Sequence, residues 1–513
     1  MLDLGRTLLA AVERDPTATA IVDGDTRFDF TGWYAHVSAL VAALKRLKLK
    51  RGDRLLTALQ NHHGAAAAHW ACQLAGIVIV PVNWRATPDE IGFFLENSEA
   101  KAVIFDSSSE SAVSGCAAAS ALPRIGFEAD MADAYDYAEL TGTAAPDAAA
   151  EADAEEWSVM LYTSGTTAKP KGVPRRHRAE RAAALAHVAQ NMMPHGDTTL
   201  GVMPLYHTMG VRSLLAMALL GGTFVCLRRF DPARALQLID DEKIASLYLV
   251  PTLYHDIVAH PGFGTADLGA IRRLGFAGAS MTDGLLRRVQ EAFRPDLFVN
   301  HYGSSEIYTF SIDQNAVAKP GSAGRAGLNQ TIRIVALGSR DPNALAAPGE
   351  EGQIIATLDG DEAFEGYWNR PDADEKALVD GWYFTGDSGY FDDDGDLFVT
   401  GRVDDMIITG GENVSPVEVE SRLSMHPSVE DVAVVGCPDE RWGKIVVAFV
   451  KRREAVTEEE LDSYCRASDL ANFKRPRRFV FVSELPKSPV GKLLRRKLVA
   501  GEYEPDPNTG QSA

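Results

Sequence analysis

Closely spaced cysteines are missing from this chain. Its five, Cys72, Cys116, Cys226, Cys437 and Cys465, are scattered over 513 residues. That pattern fits neither a disulfide framework nor a Cys/His zinc site, and it makes a reducing compartment, the cytoplasm, the expected location. A long uninterrupted apolar run is missing too. The most apolar stretch, Ala65 to Val82, is interrupted by His69 and Gln73, broken by Gly76 and closed by Pro81. It reads as a buried helix followed by a short Ile-Val-Ile-Val strand, not as a membrane span. The first residues have Asp3 and Arg6 among their apolar positions and no small-residue cleavage pattern, so they read as an amphipathic helix and not a secretory leader. Positive charge is in deficit, 51 basic against 71 acidic side chains for a net −20. Such a field repels polyanions, which argues against nucleic acid or an anionic membrane as the main partner.

What is present is ordinary globular composition, 46% apolar and 24% charged. At about 150 residues per domain the length corresponds to about three units, hence several domains or one large domain and a smaller one. Short β-branched runs near Val103, Phe224, Leu247 and Phe298 alternate with segments of helical period such as the Ala-rich stretch around Ala183. This alternation predicts an α/β fold, a large N-terminal domain with parallel-rich sheets and flanking helices. The acidic, Ala-rich stretch Thr143 to Glu156 reads as a surface connection. Beyond about Arg402, short strands and charged helices predict a small α+β domain of about 110 residues. Within Ala471 to Ala500, nine basic residues stand against the single acid Glu484, a local +8. Such a strip suits either a solvated face or the phosphates of a small polyanion.

One loop carries chemistry in its residue types. Tyr162-Thr163-Ser164-Gly165-Thr166-Thr167-Ala168-Lys169-Pro170-Lys171-Gly172 places four hydroxyls in five residues and follows them with two lysines. Hydroxyls and backbone N–H groups in a tight turn wrap phosphate oxygens, and a lysine neutralises their charge. The spacing is not that of a Walker A loop, since six residues separate Gly165 from Gly172 and Val173 follows. Four more segments occur in order: Tyr302-Gly303-Ser304-Ser305-Glu306, Gly381 to Asp387, Gly401-Arg402-Val403-Asp404-Asp405-Met406-Ile407, and Pro486-Lys487-Ser488-Pro489-Val490-Gly491-Lys492.

Together these five segments resemble the signatures of the acyl-adenylate-forming (AMP-binding) superfamily, which holds acyl- and aryl-CoA synthetases, adenylation domains and luciferase. The likeness spans nearly the whole chain and is strongest to aryl-CoA ligases of the 4-chlorobenzoate and benzoate type. It implies an ATP-dependent carboxylate–CoA ligase that forms acyl-AMP with pyrophosphate release and then a CoA thioester with AMP release. ATP and CoA are then co-substrates and Mg²⁺ the cofactor.

By this resemblance Thr163, Ser164, Gly165, Thr166, Thr167 and Lys171 hold the ATP phosphates, with Glu306 and Thr166 placing Mg²⁺. Tyr302, Gly303, Ser304 and Ser305 face adenine and the α-phosphate, and Asp387 with Arg402 clamps the ribose. Lys492 carries adenylation, because one ammonium near 4 Å from a developing charge is worth about 4 kcal/mol at an effective dielectric of about 20, roughly a thousandfold in rate. The domains would be 1–403 and a mobile C-terminal domain, 404–513, hinged at Asp404. Arg85, Gly410, Gly411, Trp442, Phe473, Arg475 and Arg477 match CoA-binding positions.

The acyl group would be lined by His207, Ala277, Gly278, Ala279, Ser280, Met281, Gly303, Ile307 and Tyr308, with His207 and Thr166 joining Lys492 and Glu306 in catalysis. No Lys, Arg or Asp in those stretches is placed to read a second charge, which points to a compact apolar acid, aromatic or alicyclic. Two departures bear on the site. Ala168 stands where glycine is common, which stiffens the phosphate loop, and the small residues Ala182 to Ala184 widen the pocket. Within enzymes the alternatives are a medium-chain fatty acyl-CoA ligase or an adenylation enzyme loading a carrier protein. Outside enzymes the alternative is a non-catalytic acyl-AMP or nucleotide sensor. Dimers are common among such proteins, and the sequence itself leaves the oligomeric state open.

Overall fold

The computed structural model describes residues 2–163, 170–409, 412–468, 470–487 and 493–507. The helix His63–Ala75 is buried on all sides, as its Ala-rich composition dictates, and Gly76 ends it in the left-handed conformation (φ 66°). It feeds the fully buried strand Val78–Val82. The strand runs through Pro81 and does not stop there, because Pro81 lies opposite Thr57 on one side, while the register on the other side is at Ile79–Val159. The proline therefore removes its N–H from a stretch where the second ladder is already sparse. Around this strand a seven-stranded sheet orders Tyr135–Asp136, Arg124–Phe127, Ala102–Asp106, Arg54–Ala58, Val78–Val82, Trp157–Thr163 and Lys171–Arg176. All pairs are parallel except the last.

A second sheet of fourteen strands has two halves. In one, Thr19–Asp23, Thr223–Cys226, Thr198–Gly201, Ser246–Leu249, Arg273–Phe276 and Leu297–Tyr302 run parallel. Three of them, Thr223–Cys226, Ser246–Leu249 and Leu297–Tyr302, are β-branched runs expected from the sequence, and the fourth such run, Ala102–Asp106, lies in the seven-stranded sheet. From Ser311–Asp313 onward the sheet is antiparallel, through Ser322–Ala326, Leu397–Arg402, Trp382–Phe391, Gly352–Thr357 and Ile332–Ala336. The two sheets share a core in which Trp33, Trp70 and Phe224 are 1% exposed each. The helix Thr208–Leu220 packs there with Gly210 so close that a Cβ would stand 2.3 Å from the carbonyl oxygens of Met203 and Pro204. The segment Pro204 to His207 is thereby fixed beneath it.

Residues from Ile407 build a separate five-stranded sheet around Val429–Asp439 and Gly443–Arg452, with its own apolar core. The connection is the 3₁₀ turn Val403–Asp405, between the last strand of the large sheet and the first of the small one. The small unit rests on the large one where Ser415 Oγ donates to Thr400 O (2.5 Å) and where Gly284 N meets Ser424 Oγ (3.5 Å). Among the described residues no helix is long and apolar enough to cross a membrane.

Candidate functional site

The antiparallel pair Trp157–Thr163 and Lys171–Arg176 sets Thr163 directly opposite Lys171, so the hydroxyl loop is a hairpin connection whose two ends are clamped together. Ser164, Gly165, Thr166, Thr167 and Ala168 lie outside the described residues. Thr163 Oγ1 is buried and has no hydrogen-bond partner among the described residues. The Lys171 ammonium stands 3.8 Å from the centre of the Tyr367 ring. Burial lowers its pKa, opposed by the nearby Glu306 carboxylate. Tyr367 Oη donates to Glu306 Oε1 (2.6 Å), and Glu306 is 5% exposed. A buried carboxylate and a hydroxyl without a partner among the described residues are hard oxygen donors of the kind Mg²⁺ takes, so Glu306 and Thr163 fit that ion.

Across from this group, Asp387 and Arg402 face each other in register, and Arg402 Nη1 donates to Asp387 Oδ1 (2.8 Å) and to Thr385 O (3.1 Å). Tyr302 Oη donates to Asp387 Oδ2 (2.6 Å), and burial holds the phenol well above its usual pKa, as a proton donor. The Lys171 ammonium also senses the Arg402 charge, which brings the expected phosphate and ribose groups into one electrostatic neighbourhood.

The turn after Tyr302 is built tightly. Ser304 N donates to Ile307 O (2.8 Å), and Ser304 Oγ accepts from Glu306 N (3.2 Å) and Ile307 N (3.4 Å). A Cβ on Gly303 would come 2.1 Å from Tyr308 O, so only glycine fits. Below the turn sits Arg175, fully buried, which the sequence reading missed. It is ion-paired with Glu180, donates to Ser305 O (3.3 Å) and Glu306 O (3.0 Å), and lies 3.8 Å over the Tyr308 ring. Tyr308 Oη in turn donates to Glu180 Oε2 (3.1 Å). Tyr367 was missed as well, because a tyrosine in Gly-Tyr-Trp carries no mark of its phosphate-side position. Arg175 stands four residues after Lys171 in a strand that also carries Lys171 and Arg176, so its residue type did not mark it as the buried one.

His207 caps the helix Thr208–Leu220, its Nδ1 accepting from Met209 N (3.4 Å). Ala277 is buried, and Gly278 turns with φ 83° over Val250. Ile307 is wholly buried, as are Ala183 and Ala184. Arg85 is exposed, stacks on Trp84 at 3.8 Å, and its charge reaches Tyr206, beside His207, whose phenol burial pushes up to about 12. Outside the stretches named for the acyl group, Arg212, one and a half turns along the helix that His207 caps, donates to Thr309 Oγ1 (2.7 Å) and meets Tyr308 O (3.5 Å). Its contact crosses from one element to another, so no single stretch of sequence displays it.

In the small unit, Trp442 lies between Arg441 (4.9 Å) and Arg477 (5.0 Å), while Phe473 is 39% exposed with Lys474 at 5.8 Å. Arg475 is turned elsewhere, paired with Asp462 and donating to Asn472 Oδ1 (2.7 Å). The basic strip as a whole is less positive than its window suggests. Lys474 pairs with Glu418, Lys487 with Asp431, Arg495 with Glu420 and Lys497 with Glu502, acids that all lie outside the window. Asp404 lies in the 3₁₀ turn between the sheets, and Gly410, Gly411 and Lys492 lie outside the described residues.

A family profile described as AMP-binding enzyme matches residues 8–368, and one described as AMP-binding enzyme C-terminal domain matches residues 418–492. A 4-chlorobenzoate–CoA ligase from an Arthrobacter species is 32% identical over 513 residues, covering 98% of this chain and 96% of that one. A long-chain-fatty-acid–CoA ligase from Mycobacterium tuberculosis is 31% identical over 507 residues, covering 97% and 98%. Among solved structures, an o-succinylbenzoate CoA synthetase from Bacillus subtilis in complex with its acyl-adenylate intermediate superposes with TM-score 0.82 at 28% identity, covering 96% of this chain and 97% of that one.

Proposed function

Because this chain belongs to the AMP-binding enzyme family and is an AMP-forming acyl-CoA synthetase, we propose that it activates an aromatic or alicyclic carboxylic acid and passes the acyl group to CoA. The observation that carries this reading is the convergence of Lys171, Tyr367 and Glu306 beside the Tyr302–Asp387–Arg402 cluster. One group offers cationic and hydroxyl donors to phosphates, the other a carboxylate to two ribose hydroxyls.

In the first half-reaction a carboxylate oxygen attacks the α-phosphorus of ATP, and the bond to pyrophosphate breaks. Thr163, Ser164, Gly165, Thr166, Thr167 and Lys171 hold the phosphates, and Lys492 offsets the charge that builds on the reacting phosphoryl. Glu306 and Thr166 would hold Mg²⁺, which when bound neutralises phosphate charge. Ser304 and Ser305 line the adenylate on a turn that Arg175 fixes from beneath. His207 and the Ala277-Gly278-Ala279 turn border the acyl group.

In the second half-reaction the CoA thiol gives up its proton to water, its sulfur bonds to the acyl carbon, and the bond from that carbon to the phosphate oxygen breaks as AMP leaves. A rotation at Asp404 that withdraws Lys492 would open the path, past Arg85, Gly410, Gly411, Trp442, Phe473 and Arg477. Relatives named for 4-chlorobenzoate and o-succinylbenzoate support a ring-bearing acid. A relative named for long-chain fatty acids keeps the aliphatic alternative as the competing reading.

The test is AMP and pyrophosphate release with benzoates, cyclohexanecarboxylates and medium-chain fatty acids, with and without CoA. Ring acids should give the highest kcat/KM, and AMP release should need CoA. A fatty-acid preference would overturn the ring assignment, and nucleotide binding without turnover would overturn the ligase reading itself.

A further inference from the structure

The helix Asp283–Phe293 begins just past the Ala277-Gly278-Ala279 turn, and Thr282 before it supplies no side-chain cap. The N–H of Gly284 is one of the donors that a helix start leaves open. The oxygen it meets belongs to the small unit, Ser424 Oγ at 3.5 Å. Ser424 Oγ gives its own hydrogen to Ser421 O (2.8 Å), which leaves a lone pair for Gly284. Ser424 is the last residue of the helix Pro416–Ser424. The two helices thus meet end to start, with the negative end of one backbone dipole against the positive end of the other.

The approach is closer than any side chain at 284 allows. A Cβ there would stand 2.5 Å from Ser424 O, 3.1 Å from its carbonyl carbon and 3.4 Å from its Oγ, and these are the three nearest atoms. The first two are backbone atoms, which no rotamer change moves aside. Gly284 itself keeps an ordinary helical backbone, where alanine is favoured over glycine. The contact with the small unit is therefore what calls for glycine.

Charges from both units surround this contact. Asp283 lies in the field of Arg287 on its own helix and of Arg422 on the small unit. Arg288 lies among Arg453, Asp431 and Glu430 of the small unit, and His255 of the helix Pro251–Ala259 approaches Glu430 at 3.9 Å. Asp431 also pairs with Lys487 (2.8 Å), and Lys487 forms a β-bridge with Leu493. Both ends of the segment that carries Lys492 are thereby tied to the strand start that faces the helix Asp283–Phe293.

We propose that the seat of Ser424 on Gly284 holds the small unit in its adenylation arrangement, which makes Gly284 a positioning residue for the first half-reaction and not for the second. This rests on the ligase reading above and adds to it the contact that selects one of two domain positions.

The experiment compares Gly284→Leu and Gly284→Ala with the wild type in two separate assays, using the best acid of the panel above and its acyl-AMP. One follows pyrophosphate release from acid and ATP, the other thioester formation from supplied acyl-AMP and CoA. Gly284→Leu should slow pyrophosphate release by about 10-fold or more and leave thioester formation within about twofold. Gly284→Ala should act in the same sense by less. Should Gly284→Leu fail to accumulate folded, Gly284→Ala carries the test, because its methyl already meets Ser424 O and alanine suits a helix. Unchanged pyrophosphate release in both variants, equal loss in the two half-reactions, or a loss confined to thioester formation overturns the proposal. Absence of pyrophosphate release by the wild type with every acid would instead sink the ligase reading, whereas full turnover in wild type and variants alike sinks only the seat.

Discussion

Lys171 holds its ammonium 3.8 Å over the ring of Tyr367, whose hydroxyl is spent on Glu306 at 2.6 Å. One aromatic side chain thus spaces a cation from an anion that would otherwise meet. Left in contact they would neutralise each other and offer nothing to a phosphate or a metal. Tyr367→Phe keeps the ring under Lys171 and removes the hydrogen bond to Glu306. It should lower the rate of pyrophosphate release about 10-fold and raise the Mg²⁺ concentration needed for half-maximal rate. Steady-state rates over a Mg²⁺ titration check this. An unchanged Mg²⁺ dependence would show that the Glu306 carboxylate does not need its tyrosine.

Asp387 accepts from both Tyr302 and Arg402, so its two oxygens are held in one orientation. Asp387→Asn weakens the Arg402 contact and leaves an amide donor where an acceptor is wanted. The KM for ATP should rise about 10-fold with a smaller change in kcat. An equal fall of kcat at unchanged KM would move Asp387 from nucleotide binding to the chemical step.

Lys492 follows Pro486-Lys487-Ser488-Pro489-Val490-Gly491, and the proposed roles separate the two half-reactions. Lys492→Ala should reduce acyl-AMP formation by about a thousandfold, yet convert supplied acyl-AMP and CoA to thioester. Asp404→Pro should do the opposite, because fixing φ at the turn between the sheets restrains rotation. Loss of both half-reactions in either variant would break the division of labour.

How much of this was legible beforehand depends on how far apart the partners stand in the chain. The buried helix and strand between Ala65 and Val82 could be read from local composition, because their meaning sits within eighteen contiguous residues. The strands of the antiparallel half escaped notice, because they depend on pairings such as Ser322–Phe398 that bring distant segments together. Arg212 escaped for the same reason, since it meets Tyr308 across 96 positions. The basic strip was overestimated because Glu418, Glu420, Asp431 and Asp462 pair with it from outside the window in which charge was counted.

Those pairings separate two arginines that look equivalent in Phe473-Lys474-Arg475-Pro476-Arg477. Arg477 faces Trp442 at 5.0 Å, whereas Arg475 is bound to Asp462 of the helix Glu458–Ala467. Arg477→Ala should therefore raise the KM for CoA about 5- to 30-fold with adenylation intact. Arg475→Ala should leave that KM within about twofold and act on stability alone, by about 1 kcal/mol or less. Thioester formation at varied CoA, beside thermal melts, distinguishes them. A larger KM effect from Arg475 would mean that CoA competes successfully with Asp462.

Buried imidazoles give the fold a pH dependence of definite sign. Burial lowers His36 to about 4, His69 to about 3 and His177 to about 4, from an ordinary value of 6.5. Each is neutral in the fold and takes up a proton more readily when unfolded. Their stabilisation is therefore complete above 6.5 and shrinks as pH falls toward those lowered values, by about 1.4 kcal/mol per pH unit per group. The buried carboxyls Glu362 and Glu420, raised by burial, act in the opposite sense, as each takes up a proton more readily in the fold than in the unfolded chain. The paired Asp23 and Asp106 sit below their ordinary 3.8, so their contribution is lost only in stronger acid. Between pH 6.5 and 4 the melting temperature should thus fall. His69→Gln should lower the slope of unfolding free energy against pH by up to one proton, whatever it does to stability at pH 8. Denaturant unfolding at half-unit steps of pH measures that slope, and an unaltered slope would show that His69 is not the neutral, buried imidazole its surroundings dictate.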